Sequence, residues 1–190
     1  DMYKNEVEVR ALITWLERLN IPNKIYVAGN HDTSIEKGLI TQDNFHQSCI
    51  HYLFNESITV DGIKIWGSPH TPNFGNWAFM KARHNLDKVW QSIEDDVDIV
   101  VTHTPPKGIL DLSYNRRGEL EFCGCSALQK RLLKLKPKLS LFGHIHNCEG
   151  VINAGTMKLS IMDTVFSNGS VLTDGKFGKL SSNGNIFEIV

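Results

Sequence analysis

Apolar positions recur at helical spacing from Asn5 to Leu19, where Ala11, Leu12, Trp15, Leu16 and Leu19 are separated by charged and polar residues. The pattern predicts an amphipathic helix. Asn20-Ile21-Pro22-Asn23 stops it, because proline lacks the amide hydrogen a helix needs. The apolar run Lys24-Ile25-Tyr26-Val27-Ala28 predicts a short buried strand that ends in Gly29-Asn30-His31-Asp32. A helix feeding a buried strand is half of a βαβ unit, which points to an α/β fold. Two strands over Ser57–Val60 and Ile63–Trp66, joined by Asp61-Gly62, predict a hairpin whose turn residues tolerate positive φ. A long Gly/Pro/aromatic loop follows, from Gly67 to Trp77. Beyond it the pattern predicts a helix over Leu86–Ile93 and a strand over Asp98–Thr102 that closes at His103. An amphipathic helix over Ser126–Leu135 should turn Leu128, Leu132, Leu133 and Leu135 inward. A third core strand, Leu139–Phe142, closes at Gly143-His144-Ile145-His146. From Val151 to Val190, short strand-like pieces broken by Asn168-Gly169, Asp174-Gly175 and Asn183-Gly184 predict a β-meander. No repeat or linker interrupts the chain, and one domain over residues 1–190 is the simplest account.

Length and composition narrow the class. The 190 residues suffice for a sizeable core, and the net charge of −1 argues against a protein that coats nucleic acid. No run approaches the ~20 apolar residues that cross a bilayer, and no signal-peptide pattern opens the chain. The cysteines Cys49, Cys123, Cys125 and Cys148 lack zinc-ribbon spacing and are too few for a disulfide framework. Reduced thiols in a cytoplasmic protein are therefore expected.

Three strand-like runs end in groups rich in metal ligands: Asn30-His31-Asp32, His103, and His144 with His146. Ligand sites of α/β sheets gather beyond the carboxyl ends of strands. Imidazole, amide and carboxylate donors suit mid-series divalent ions such as Mn²⁺, Fe²⁺ or Zn²⁺. Each group alone has a plainer explanation: a hydrogen-bonded strand-end histidine, an Asn/Asp turn, or two same-face histidines at i, i+2. The three together, each closing an apolar strand, point to a metal site.

These motifs carry a family resemblance. Gly29-Asn30-His31-Asp32, Thr102-His103 and Gly143-His144-Ile145-His146 resemble the later signature blocks of the calcineurin-like metallophosphoesterase superfamily. Several longer stretches look like its metallophosphoesterase-domain (MPPED-type) family. They are Gly67–Pro72, Asn76–Phe79, Thr102–Gly108, Gly124-Cys125 and Lys136–His144. Two positions depart from that pattern, His70 where Trp is usual and Thr104 where Gly is common. The resemblance implies a four-layer αββα sandwich with two mixed β-sheets and a centre of two divalent metal ions, most expectedly Mn²⁺. It also implies that Asn30, His103 and His144 bind one ion and His146 the other. His31 would contact the scissile phosphate and protonate the leaving oxygen, with Asp32 orienting it. The implied activity is hydrolysis of a small phosphodiester, such as a cyclic nucleotide, by a metal-bridging hydroxide.

The superfamily's first two blocks, an Asp-x-His and a Gly-Asp, do not occur in the chain, which opens on Asp1-Met2-Tyr3. Asp1 is not assigned as a ligand. The N-terminal strand of the fold and most ligands of the first ion are expected on preceding residues, on an accompanying chain, or exchanged from a neighbouring copy. The isolated chain is expected to bind at most one ion well and to show little hydrolysis.

Other features admit two readings. Arg116 and Arg117 could clasp a substrate phosphate, or form a solvent-facing basic loop. Phe74 and Trp77 could stack on a nucleobase, or pack their loop onto the core. Lys130, Arg131, Lys134, Lys136 and Lys138 read as the wet face of a helix. A nuclease or phosphomonoesterase on the same fold and a non-catalytic binding module are the alternative functions. Nucleic acid is a partner the charge balance does not favour, and no membrane is expected.

Overall fold

Residues 2–173 and 178–189 are described by a computed structural model. In chain order the helix α1 (Met2–Glu17) leads to strand β1 (Lys24–Tyr26), then short helices α2 (Thr33–Glu36) and α3 (Gln42–Gln47) to β2 (Ile50–Tyr52). Strands β3 (Glu56–Val60), β4 (Ile63–Ser68), β5 (Thr71–Pro72) and β6 (Met80–Lys81) precede helix α4 (Arg83–Gln91). The rest comprises β7 (Ile99–Thr102), β8 (Leu112–Tyr114), β9 (Leu120–Phe122), α5 (Ser126–Leu135), β10 (Leu139–Phe142), β11 (Gly155–Lys158) and β12 (Val165–Asn168).

Six strands form one mixed sheet in the order β11-β12-β10-β7-β4-β3, with β4, β7, β10 and β12 parallel. Alternation along these strands makes two apolar faces. Trp66, Val100 and Phe142 point outward onto Leu86, Trp90, Leu128 and Leu132 of α4 and α5. Ile65, Ile99 and Leu139 point the other way and pack with Leu53, Ile25 and Val27 beside the second sheet. That second sheet is the parallel pair β1-β2, whose outer side meets Val9 and Ile13 of α1 together with Ile35 and Phe45. The layers therefore run helix, sheet, sheet, helix, an αββα sandwich.

The expected hairpin is present, with Val60 paired to Ile63 and both turn residues at positive φ, 50° at Asp61 and 82° at Gly62. Three details differ from expectation. Among the described residues the second sheet holds two parallel strands and is not mixed. Trp15, counted in the apolar stripe of α1, is 56% exposed, and Val9 and Ile13 carry the buried contact. The stripe shifts because the helix presses its Val9–Ile13 face onto α2 and the outer side of β1-β2. The predicted β-meander is confined to β11 and β12. Strand β12 returns parallel to β10, and among the described residues the chain past Asn168 forms only isolated bridges such as Leu172 with Leu180. Asp174-Gly175 and Val190 lie outside the described residues.

Candidate metal centre

Strands β7 and β10 run parallel in register, Val101 beside Leu141, so the segments that follow them emerge side by side. The Gly143 amide donates to the His103 carbonyl at 3.2 Å and fixes that alignment. His103 falls on the same face as Ile99 and Val101, toward the inner gap of the sandwich, where the end of β1 also arrives. Gly29 makes the approach feasible. A β-carbon there would lie 2.5 Å from His103 Cε1, inside any tolerable contact. His144 adopts φ 71°, a left-handed bend that brings its ring to 4.5 Å from that of His103.

Three acceptor atoms converge at this point. Asn30 Oδ1 stands 2.7 Å from His103 Nε2 and 3.1 Å from His144 Nδ1. The Asn30 amide also donates to His103 Nε2 at 3.2 Å, which requires the lone pair of that nitrogen. The same nitrogen cannot then give a proton to Asn30 Oδ1. Two acceptors facing each other resolve the conflict when a cation lies between them, and ligands of one ion with bonds of about 2.1 Å sit roughly 3 Å apart. Burial, and next the neighbouring His144, His31 and His146, push the His103 imidazole well below the ordinary histidine range. Burial, followed by His146 and His31, takes His144 down to about 4. Neutral imidazoles are the form that ligates metal. The donor set therefore fits one divalent ion. Among the described residues no cluster of three or more His, Cys, Asp or Glu side chains is arranged for a metal.

His31 is exposed beside this centre, its ring 4.8 Å from that of Trp77. Asp32 turns away from it. Its Oδ2 accepts from the Gly29 amide at 2.6 Å, the Tyr26 hydroxyl donates to the same carboxylate, and no hydrogen bond joins it to His31 among the described residues. Burial raises the Asp32 carboxyl above its ordinary range, against the opposing pull of Gly29, Tyr26 and His31. Its influence on His31 is through space, while its bonds hold the Gly29–Asp32 turn. Tyr26 went unmarked in the sequence because nothing in a strand tyrosine announces the carboxylate it will meet.

A cleft of about 880 Å³ opens beside His144, lined by Phe74 and by the cations Arg83, Lys107, Arg116 and Arg117. Phe74 stacks 5.1 Å from His144. His70 and Thr104 both lie away from this cleft. His70 is buried beside Phe54 and Phe79, where Nδ1 meets the Phe79 carbonyl at 3.1 Å and Nε2 the Asn55 amide at 3.2 Å. Thr104 is 1% exposed, and its carbonyl accepts from the Thr102 hydroxyl. Two buried asparagines have roles the sequence reading did not give them. Asn153 Nδ2 donates to the Leu112 and His146 carbonyls, and Asn168 Nδ2 to those of Leu110 and Ile145. Asn153 sits in an apolar-polar run without a motif, and Asn168 was legible only as the start of an Asn-Gly break, where β12 ends.

An αββα sandwich with imidazole and amide donors at its strand ends is an arrangement suited to holding a divalent metal. The chain belongs to the calcineurin-like phosphoesterase family, whose profile matches residues 3–148. It is 33% identical to metallophosphoesterase domain-containing protein 1 of Homo sapiens and of Mus musculus, over 87% of this chain and 55% of theirs. It is 30% identical to UPF0046 protein K07C11.7 of Caenorhabditis elegans, over 70% of this chain and 48% of that one. The chain thus spans about half the length of the curated relatives it matches. Two solved structures share the fold at low identity. One crystal structure aligns with TM-score 0.63 and 13% identity over 89% of this chain and 66% of its own. TT1561 of Thermus thermophilus aligns with TM-score 0.52 and 17% identity over 84% and 68%. Family membership implies divalent metal ions. Among the described residues no helix is long and apolar enough to cross a membrane.

Proposed function

We propose that this chain carries the catalytic core of a metal-dependent phosphodiesterase that cleaves a small organic phosphodiester such as a cyclic nucleotide. The observation that carries the reading is the convergence of Asn30 Oδ1 on His103 Nε2 and His144 Nδ1 beside the exposed His31. Asn30, His103 and His144 would hold one ion, and His146 would contribute to a second; manganese suits this donor set. Bound divalent ions supply charge neutralisation at the phosphoryl oxygens and a nucleophile at neutral pH. His31, free of other hydrogen bonds among the described residues, contacts a phosphate oxygen and gives its proton to the departing alkoxide. Asp32 keeps the turn that presents His31. A reducing, cytoplasmic setting suits a chain whose four cysteines are too few for a disulfide framework.

The test uses the full-length protein with Mn²⁺ and an activated phosphodiester. His31→Ala should lower kcat by about 10²–10⁴-fold with metal content retained. His103→Ala or His144→Ala should lower the metal content itself, read by atomic emission after dialysis. Parental turnover in His31→Ala would remove the role given to it.

A further inference from the structure

The cleft beside His144 is larger than one phosphodiester group needs, and its far wall is the β8–β9 hairpin. Four cations line it against the single carboxylate of Glu121. Arg83 is already engaged, donating to the Gly124 carbonyl at 3.0 Å and to that of Cys123 at 3.5 Å. The side chains of Arg116 and Arg117, by contrast, make no hydrogen bond or ion pair among the described residues. The acid nearest them in sequence is diverted: Glu119 Oε2 accepts from Asn115 Nδ2 at 3.1 Å.

The hairpin tip is built to hold the two arginines in place. Asn115 Oδ1 accepts from the backbone amides of Arg117 at 2.9 Å and Glu119 at 3.0 Å, and Gly118 closes the turn at φ 76°. The base is fixed as well. Buried Asp111 Oδ2 accepts from Gly108 at 3.0 Å and Gly124 at 2.8 Å. Asn153, 1% exposed, accepts from the Leu112 amide and donates to the Leu112 and His146 carbonyls. One buried side chain therefore ties the arginine hairpin to the loop that carries the metal-ligand histidines. Order in the frame lowers the entropy lost when a ligand is clasped.

We propose that Arg116 and Arg117 form a second anion subsite of the cleft, which selects phosphodiesters that carry a further phosphate beyond the scissile one. The proposal rests on the phosphodiesterase reading for the scissile half of the site. Guanidinium forks match phosphate oxygens in pairs, and such charge-assisted contacts are the stronger kind. The aromatic rings of Phe74, Tyr114 and Phe122 line the same cleft and suit a planar or apolar body between the two phosphates.

The test measures binding of thymidylyl-thymidine, with and without a 5′-phosphate, to the full-length protein by calorimetry in EDTA, where no turnover occurs. The 5′-phosphorylated form should bind roughly tenfold tighter. The double variant Arg116→Ala/Arg117→Ala should bind both forms alike, because the exposed tip can be truncated without disturbing the core. Equal binding of the two forms by the unaltered protein overturns the proposal, as does absence of measurable binding or a preference that survives the double substitution. Turnover of the unphosphorylated dinucleotide with Mn²⁺, run separately, reports on the phosphodiesterase reading alone.

Discussion

A single histidine outside the metal centre sets a pH response that the centre itself does not need. His70 is 5% exposed and bonded at both ring nitrogens, and burial brings its imidazole from the ordinary 6.5 to about 4. The unfolded chain binds a proton at this residue between those values and the folded chain does not. Stability is therefore fully present above about pH 6.5 and falls as the pH drops toward about 4. The loss from this one group is at most on the order of 3 kcal/mol. His70→Gln should flatten that part of the curve, measured by denaturant unfolding across the interval; an unchanged slope would assign the acid lability elsewhere. The convergence of Asn30, His103 and His144 was legible in the sequence because each follows an apolar run. Asp32 was less so. The resemblance implies that it orients His31, and in the fold its carboxylate is bonded by the Gly29 amide and the Tyr26 hydroxyl, which nothing in the local sequence announces.

The elements repeat this division between what periodicity encodes and what packing decides. Helix α5 and strand β10 match their predicted bounds, and the Asp61-Gly62 hairpin closes as its turn chemistry requires. Periodicity says that α1 is a helix, yet its buried stripe is chosen by α2 and β1-β2, which no local pattern encodes. The return of β12 alongside β10 was hidden for the same reason, since a parallel pairing joins residues far apart in sequence. Asn153 illustrates how such distant elements are held. Replacing it with alanine removes two donors and an acceptor from a buried site, at a cost of about 2–4 kcal/mol. Thermal scans of Asn153→Ala should show a lowered Tm and a smaller rise on adding Mn²⁺, because the His146 carbonyl loses its tether. A Tm within a degree or so of the parent would show that the β8 base and the ligand loop do not depend on that residue.

At the scale of the whole molecule, the layers and the family were legible, and the complement of metal ligands sets the limit. The described residues gather Asn30, His103 and His144 around one point. The Asp-x-His and Gly-Asp blocks do not occur in the sequence, so residues 1–190 alone are expected to hold no more than one ion per chain after exhaustive dialysis, and to hydrolyse an activated phosphodiester only feebly. Two tightly held ions with brisk turnover would refute this. The sheet edges matter to the same experiment. Among the described residues β1 is paired on one side only, by β2, and Ile186 is 100% exposed in the extended tail that carries Phe187 and Ile189 onto the inner layer. Open strand edges and bare apolar side chains invite association.

The contact between Trp77 and His31 gives the protein an optical handle. Of its four tryptophans, Trp66 and Trp90 are sealed in the outer core, edge to face at 6.2 Å, where indole emission is blue. Trp15 and Trp77 are exposed and should emit to the red, and of these Trp77 has its ring 4.8 Å from that of His31. An indole in ring contact with an imidazole responds to whatever displaces or covers that ring. With Trp15 replaced by phenylalanine, the colour and brightness of the remaining red signal become a label-free record of whether a ligand covers His31.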